Sequence, residues 1–189
     1  GNGEYMSAPL INPTNDSTLM AQTLTDLGFL VSHRNNVTQS EMKRAILDFG
    51  MKLEDMGPDT IGLFYYAGHG MQVDGTNYLV PVDADIRREA EVAVLAVEAN
   101  AVISQMKYAR NALNIIILDA CRNNPYTRSF RNAVGGLARM EAPRGTIIAY
   151  STRPGDVAAD GFGEYSPYTE ALVAAMQVPG LSLSDLFIQ

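Results

Sequence analysis

Short apolar runs alternate along this chain with segments in which apolar residues recur at helical spacing. The runs cover residues 29–32, 61–66, 114–118 and 146–151, and the last three are almost continuously apolar. Strands buried on both faces of a parallel sheet show this unbroken apolar pattern. The pattern therefore predicts a parallel sheet whose strands are joined by helices.

Helical periodicity appears before, between and after these runs. Helices are predicted from Asn15 or Asp16 to Gly28, after Thr38, over 98–113 and after Ser166-Pro167. Residues 38–41 have the spacing of a capping box, and Ser166-Pro167 suits the N-cap and first helical positions. Strands that alternate with helices indicate an open, mostly parallel α/β sheet with helices on both faces, a three-layer α/β/α arrangement. A small edge hairpin is expected over 77–82, because Pro81 would disrupt a central strand.

Length and charge narrow the class of protein. The chain has 189 residues, 47% of them hydrophobic, and its 14 basic and 21 acidic side chains give a formal net charge of −7. A chain of this size forms one domain with a substantial core. The acidic balance argues against nucleic acid or an anionic membrane surface as a partner, since both attract positive surfaces. No apolar run is long enough to span a membrane, and a single cysteine, which excludes an internal disulfide, favours a cytoplasmic location.

Two reactive side chains follow neighbouring apolar runs. His69, between two glycines, follows the second run, and Cys121 follows the third. Functional groups gather at the carboxyl ends of the strands in open α/β sheets, so these two side chains are expected to lie close together. Each residue taken alone also has a structural interpretation. His69 could be a histidine that is hydrogen-bonded to a backbone carbonyl at a strand end, and Cys121 a small hydrophobic residue of the core. Together they form the pair that a cysteine nucleophile and its general acid/base require.

Such a pair could cleave peptide bonds. A nearby imidazole lowers the pKa of a thiol below its usual value of about 8.5 and so supplies thiolate at neutral pH. His69 would protonate the leaving amine, and the backbone N–H groups of Gly70 and Cys121 would stabilise the oxyanion. Thr127 stands where a Cys-x5-Arg phosphatase loop needs arginine, and no Gly-x4-Gly-Lys-Ser/Thr loop is present. With two histidines and one cysteine in the chain no metal site is expected, and His33 is expected in a solvated loop.

The sequences around His69 and Cys121 resemble those of a known clan. Residues 65–70 (Tyr-Tyr-Ala-Gly-His-Gly) and 119–122 (Asp-Ala-Cys-Arg) are similar to the histidine and cysteine motifs of caspase-like cysteine peptidases, the clan of caspases, metacaspases and paracaspases. The separation of 52 residues agrees with the spacing of about 50 residues known for caspases. Residues 12–16 resemble the stretch after the first strand of metacaspases and bacterial orthocaspases, the type that this chain is most similar to, and residues 150–155 resemble the substrate-binding strand of the small-subunit half.

The resemblance implies roles for individual residues. Cys121 corresponds to the nucleophile, His69 to the general acid/base and Gly70 to an oxyanion donor. A peptide would bind as an added strand beside Tyr150, Ser151 and Thr152. No cofactor is required, although metacaspase relatives often need calcium; the acidic residues here show no EF-hand spacing.

Acidic residues then suggest the substrate. Asp16 and Asp119 match acidic pocket positions of metacaspases, and Asp156 is a third candidate. Carboxylates in a narrow pocket bind arginine or lysine and repel aspartate, so cleavage after arginine is predicted, with lysine second. Each residue has a structural alternative: Asp16 as a first-turn helix acid, Asp119 as a buried carboxylate that holds loop backbone, and Asp156 as a solvated turn residue.

The resemblance also implies a domain organisation. Residues 1–127 correspond to a large-subunit-like half, 128–144 to an exposed linker loop and 145–189 to a small-subunit-like half, without the family's first and last strands. The linker carries four arginines that a protease with basic specificity could cut in its own chain: Arg128, Arg131, Arg139 and Arg144. Two other functions stay open, a catalytically silent caspase-like binding or scaffold module and a flavodoxin-like domain that binds a small ligand.

Overall fold

The computed structural model describes residues 1–120, 136–152 and 163–187. The helices are α1 (Pro13–Asp26), α2 (Gln39–Met56), α3 (Val92–Leu95), α4 (Asn100–Ala109), α5 (Pro167–Met176) and α6 (Leu183–Leu186). The strands are β1 (Ile61–Gly68), β2 (Gly70–Val73), β3 (Thr76–Leu79), β4 (Val97–Glu98), β5 (Leu113–Ala120) and β6 (Thr146–Tyr150). No described helix is both long and apolar enough to cross a membrane.

The main sheet is parallel, with strand order β1-β5-β6. Gly68 pairs with Ala120 where β1 and β5 end, and Leu118 pairs with Tyr150 between β5 and β6. These three strands are the second, third and fourth apolar runs of the sequence. The predicted parallel sheet is therefore confirmed.

Alternate side chains of β5 enter two different cores. Ile116 and Leu118 pack with buried residues of α2 and α4. Ile115 and Ile117 pack with buried residues of α1 and α5 on the opposite face. Because successive strand residues point to opposite faces, β5 lies between two layers of helix, and the predicted three-layer α/β/α arrangement is confirmed.

A small antiparallel sheet follows β1 directly. β2 and β3 form a hairpin around Asp74-Gly75, and β4 pairs with the outer edge of β3. Both turn residues have positive φ, 49° and 78°, as a two-residue hairpin turn requires. The hairpin predicted over 77–82 is therefore wrong in its bounds, because the Asp-Gly turn places the strands at 70–73 and 76–79.

Other elements differ more locally from the prediction. Residues 29–32 form an extended connection that no ladder joins to a neighbouring strand within the described parts of the chain. Phe29 and Val31 pack on the α1–α5 core while Leu30 is 75% exposed, which gives the connection the alternation of a strand. The predicted helix over 98–113 ends at Ala109, because Arg110 adopts a left-handed conformation (φ 55°).

The two helix caps predicted from the sequence, at residues 38–41 and at Ser166-Pro167, are confirmed. Thr38 accepts a hydrogen bond from the backbone of Glu41 and completes a capping box, and Ser166 caps α5 through Thr169.

The linker, residues 128–144, differs from the prediction of an exposed loop. Residues 128–135 lie outside the described residues, but Leu137 is only 2% exposed. At least one linker side chain is therefore part of the core.

Candidate active site

The backbone around His69 lies close to the end of β5. Gly68 and Ala120 are in register, and His69 follows directly on the first of them. A methyl group on Gly70 would lie only 2.9 Å from the Cβ of Ala120, so this close approach requires glycine. Cys121 follows Ala120 in the sequence and lies outside the described residues.

Two tyrosines hold the backbone of His69, which is 2% exposed. Its N–H donates to the hydroxyl of Tyr5 at 2.9 Å, and the hydroxyl of Tyr66 donates to its carbonyl oxygen at 2.9 Å. The ring of Tyr5 also packs on the imidazole, with 4.4 Å between the ring centroids. Backbone and ring of His69 are thus fixed by the same neighbour.

A backbone carbonyl determines which imidazole nitrogen carries the proton. The Nε2 atom of His69 is 2.8 Å from the carbonyl oxygen of Ala8. A carbonyl oxygen only accepts, so Nε2 is the donor and the neutral ring keeps its lone pair on Nδ1. Ala8 has a φ of 125°, which costs an alanine about 1–3 kcal/mol and is typical of functional sites.

The neighbouring glycine allows the two tyrosines to approach. Gly68 has a φ of 153°, and a methyl group there would lie 2.6 Å from the Tyr5 hydroxyl oxygen and 2.7 Å from that of Tyr66. Any side chain at this position would displace both hydroxyl groups from His69. Each glycine beside the histidine is therefore required for a different reason: Gly68 by the two tyrosine hydroxyl groups, and Gly70 by Ala120.

The backbone N–H of Gly70 points away from the hairpin. Val80 donates its N–H to the carbonyl oxygen of His69 at 3.0 Å, which is one of the two bonds of a hydrogen-bonded pair, and the N–H of His69 binds Tyr5 in place of the second. The next pair, Gly70 with Leu79, is therefore of the non-hydrogen-bonded type, whose N–H groups face outward. This orientation suits a donor to a developing oxyanion.

The two predicted pocket carboxylates meet at one residue. Asp16 and Asp119 are 0% and 1% exposed. Asp16 accepts the backbone N–H of Ser166 at 2.8 Å, and Asp119 accepts the Ser166 hydroxyl at 2.5 Å. Both carboxylates thus lie at the N-terminus of α5, where the helix dipole favours negative charge.

Further hydroxyl groups surround Asp119. Thr169 donates to its Oδ2 atom at 3.0 Å, and the Thr169 hydroxyl is 2.6 Å from that of Tyr65. Burial, and after it the negative charge of Asp119, raises the pKa of Tyr168 well above its usual value. The structural role weighed for Asp16, a first-turn helix acid, agrees with its place in α1. Asp119 binds the side-chain hydroxyl groups of Ser166 and Thr169, whereas the role weighed for it was to hold loop backbone.

The proposed substrate-binding residues lie at the end of β6. Tyr150 and Thr152 line a cavity of about 270 Å³ together with Tyr168. Ser151 donates its N–H to the carbonyl oxygen of Leu118 at 3.1 Å. Asp156 lies outside the described residues.

His33 does not join the other predicted residues. It lies in a loop, as expected, but it is half-buried and its Nε2 atom is 3.2 Å from the hydroxyl of Ser17. Burial lowers its pKa. Within residues 1–120, 136–152 and 163–187, no group of three His, Cys, Asp or Glu side chains could hold a metal ion.

Several contacts around the site escaped sequence reasoning. Ser166 was recognisable as an N-cap, but its bond to Asp119 spans 47 residues of sequence. Tyr5 and Ala8 meet His69 across 64 and 61 residues. Tyr66, by contrast, stands three residues before the histidine. Only this last proximity could have been suspected from the order of residues.

Comparisons with known proteins add one family and two relatives. A family model described as Caspase domain matches residues 1–189. Mucosa-associated lymphoid tissue lymphoma translocation protein 1 of Homo sapiens is 28% identical over 156 residues, which cover 82% of this chain and 18% of that protein. Its Mus musculus homolog matches with the same identity and coverage. The chain thus spans less than a fifth of the length of these curated relatives.

Proposed function

Because the chain belongs to the caspase domain family, we propose that it is a cysteine endopeptidase that cleaves peptide bonds after arginine, and less readily after lysine. Cys121 is the proposed nucleophile and His69 the general acid/base. The observation that carries the proposal is the register of Gly68 with Ala120, since the proposed catalytic residues follow directly on this pair. We further propose that the domain is of the metacaspase type and needs no cofactor for the reaction.

The contacts of His69 support its role in proton transfer. A protonated Nε2 bound to the carbonyl of Ala8 leaves Nδ1 as the nitrogen that exchanges protons with the reacting groups. In the proposed reaction Nδ1 takes the proton of the Cys121 thiol. The imidazolium that results is stabilised by the Ala8 carbonyl, to which it still donates through Nε2.

The reaction follows in two balanced steps. The thiolate of Cys121 attacks the carbonyl carbon of the substrate, and the N–H of Gly70 donates to the oxyanion. The carbon–nitrogen bond then breaks while Nδ1 of His69 protonates the leaving amine, which leaves a thioester. Nδ1 then takes a proton from a water molecule, whose oxygen attacks the thioester carbon. The carbon–sulfur bond breaks, the acid product leaves, and Nδ1 returns the proton to the thiolate of Cys121.

The specificity for basic residues rests on Asp16 and Asp119. The side chains of both residues are bound to Ser166, which brings two acidic groups into one small region. An arginine guanidinium offers a planar fork of donors that suits carboxylates, and lysine offers a single charged group. Asp156 is proposed as a third acidic group, and Tyr150, Ser151 and Thr152 as the strand beside which the peptide lies.

Self-processing is proposed for the linker between the two halves, residues 128–144. Of its arginines, Arg139 and Arg144 fall within the described residues and are exposed. The backbone on both sides of Arg139 is hydrogen-bonded, since Ala138 binds the side chain of Asn77 and Met140 donates to Tyr150. The backbone on both sides of Arg144 is bound as well, since the carbonyl oxygens of Pro143 and Gly145 accept the N–H groups of Thr146 and Asn114. We therefore expect cuts at Arg139 and Arg144 to be slow, and we propose Arg128 and Arg131 as the other candidate sites.

Hydrolysis of fluorogenic peptides that differ only in the residue before the scissile bond tests this proposal. The chain should cleave the arginine peptide fastest, the lysine peptide more slowly and the aspartate peptide hardly at all, and Cys121→Ala should abolish all three activities. An active-site-directed chloromethyl ketone should label Cys121. Faster cleavage of the aspartate peptide would refute the acidic pocket, and no hydrolysis and no labelling, with calcium or with a chelator, would refute the peptidase.

Asp119→Asn separates specificity from folding. The ratio of kcat/KM for the arginine peptide to that for a neutral peptide does not depend on the fraction of folded protein. This ratio should fall by about tenfold or more, the size expected when one charged hydrogen-bond partner is lost. An unchanged ratio would leave Asp119 with its structural contacts alone.

A further inference from the structure

Residues 136–140, here called the docking segment, pack against the end of β5 and the beginning of β2, which flank the proposed catalytic pair. Leu137 belongs to the core cluster that also contains Ala120 and Leu118. A methyl group on Gly70 would meet the Leu137 side chain at 3.2 Å, next to its 2.9 Å contact with Ala120. The side chain of Leu137 therefore lies beside both Gly70 and the end of β5.

A second contact fixes the backbone of the docking segment. The side-chain amide of Asn77, in β3, donates to the carbonyl oxygen of Ala138 at 2.6 Å and accepts the Ala138 N–H at 2.7 Å. Asn77 is itself buried, and its own carbonyl oxygen accepts the N–H of Ala99 at 2.9 Å. The amide thus pairs with one residue of the docking segment as a neighbouring strand would.

A third contact joins the docking segment to β6. The N–H of Met140 donates to the Tyr150 hydroxyl at 3.0 Å. Residues 136–140 are therefore bound to the hairpin through Asn77, to the beginning of β2 and the end of β5 through Leu137, and to β6 through Tyr150. An exposed loop would need none of these contacts.

We propose that Asn77 and Leu137 are positioning residues for the reaction of His69 and Cys121, an inference that rests on the proposed function. Leu137 fills the volume beside Gly70 and Ala120, and Asn77 holds the segment that carries Leu137. Without either contact the end of β5 and the beginning of β2, which directly follows His69, lose a support on one side. A displacement of about 1 Å between reacting groups lowers a rate roughly a hundredfold, so a small relaxation here reduces turnover.

Leu137→Ala tests this role against Leu53→Ala as a matched control. Both leucines are buried in the same core cluster, at 2% and 4% exposure. Leu53 lies beside Gly62, near the beginning of β1 and far from His69. The two variants lose the same number of atoms from one core, but only the first loses them next to the proposed site.

We expect kcat for the arginine peptide to fall about tenfold or more in Leu137→Ala, with KM changed less than about twofold. The pH profile of kcat should shift as well, because the surroundings of His69 change. In Leu53→Ala, kcat should stay within about twofold of the unsubstituted chain, measured at denaturant concentrations where both variants are folded. Leu137→Met, which conserves volume, should restore most of kcat.

Asn77→Asp provides a second variant should Leu137→Ala fail to fold. The carboxylate keeps an acceptor for the Ala138 N–H but places an acceptor against the Ala138 carbonyl, so kcat should fall while KM stays nearly constant. Equal kcat in Leu137→Ala and Leu53→Ala, or unchanged kcat in Asn77→Asp, would overturn the inference while the unsubstituted chain remains an active peptidase. An unsubstituted chain without activity or labelling would overturn both proposals.

Discussion

The replacement of Ser166 by alanine tests the residue that both acidic side chains contact, Asp16 through its backbone and Asp119 through its hydroxyl group. Ser166→Ala removes a hydroxyl that donates to Asp119 at 2.5 Å and accepts the N–H of Thr169 at 3.1 Å. The backbone N–H that binds Asp16 is unaffected. The variant therefore removes one helix cap and one hydrogen bond to a buried carboxylate, and leaves the other carboxylate bound.

The structure permits an estimate of each loss. An N-cap serine replaced by alanine costs about 1 kcal/mol, and a hydrogen bond to a charged group contributes about 1.5–3 kcal/mol. Because Ser166 and Asp119 are both buried, water does not take the place of the lost hydroxyl. We expect the free energy of unfolding of Ser166→Ala to fall by about 2.5–4 kcal/mol in total.

Ser182 provides a matched control because it makes the same two bonds at the surface. It caps α6 through the N–H of Asp185 at 3.1 Å and donates to the carboxylate of that residue at 2.6 Å. Both residues are exposed, so water replaces the lost hydroxyl. Ser182→Ala should therefore cost only about 0.5–1 kcal/mol.

Urea denaturation at neutral pH measures both values. Ser166→Ala should be less stable than Ser182→Ala by about 1.5–3.5 kcal/mol, with the denaturant dependence unchanged. Ser166→Ala should also lower the preference for the arginine peptide, since Asp119 loses an orienting partner. A difference below about 0.5 kcal/mol would refute the reasoning, because it would mean that the buried bond contributes no more than the exposed one.

Three further predictions concern other parts of the structure. Gly68→Ala should cost more than about 2 kcal/mol and abolish hydrolysis, whereas Gly75→Ala, with positive φ but open space around it, should cost about 1 kcal/mol; equal costs would exclude the tyrosine contacts as the cause. Hydrogen bonds from its N-cap lower the pKa of Glu41, so its contribution to stability is present above the ordinary value of 4.5 and is lost as the pH falls through the lowered pKa. Glu41→Gln should therefore be less stable than the unsubstituted chain at pH 7 and equal to it in strong acid, and a difference that persists in acid would contradict this. Tyr5→Phe removes the acceptor of the His69 N–H and should lower kcat about tenfold at unchanged KM; a rise in KM alone would show that Tyr5 serves binding instead.

Local patterns along the chain predicted the main elements correctly. The apolar runs at 61–66 and 114–118 became β1 and β5 because a strand buried on both faces has no polar position. The capping box at Thr38 and the cap at Ser166 were recognisable because their bonds join residues three apart. Residues 29–32 were wrongly expected to form a strand. A short apolar run reports on burial, but a strand also needs a partner strand for its backbone hydrogen bonds.

The alternation of strands and helices, the parallel sheet and the position of His69 directly after β1 could all be predicted from the order of residues. These depend on residues that are neighbours in the chain. The folded structure was needed to show that Tyr5 and Ala8 hold His69, that Asp16 and Asp119 meet at Ser166, and that Leu137 lies beside Gly70. The hydrogen bonds among these contacts join residues that are 47 to 150 positions apart in the sequence. Hydrogen bonding and packing require proximity in space, and no period along the chain records which distant segments the folded sheet and its helices bring together.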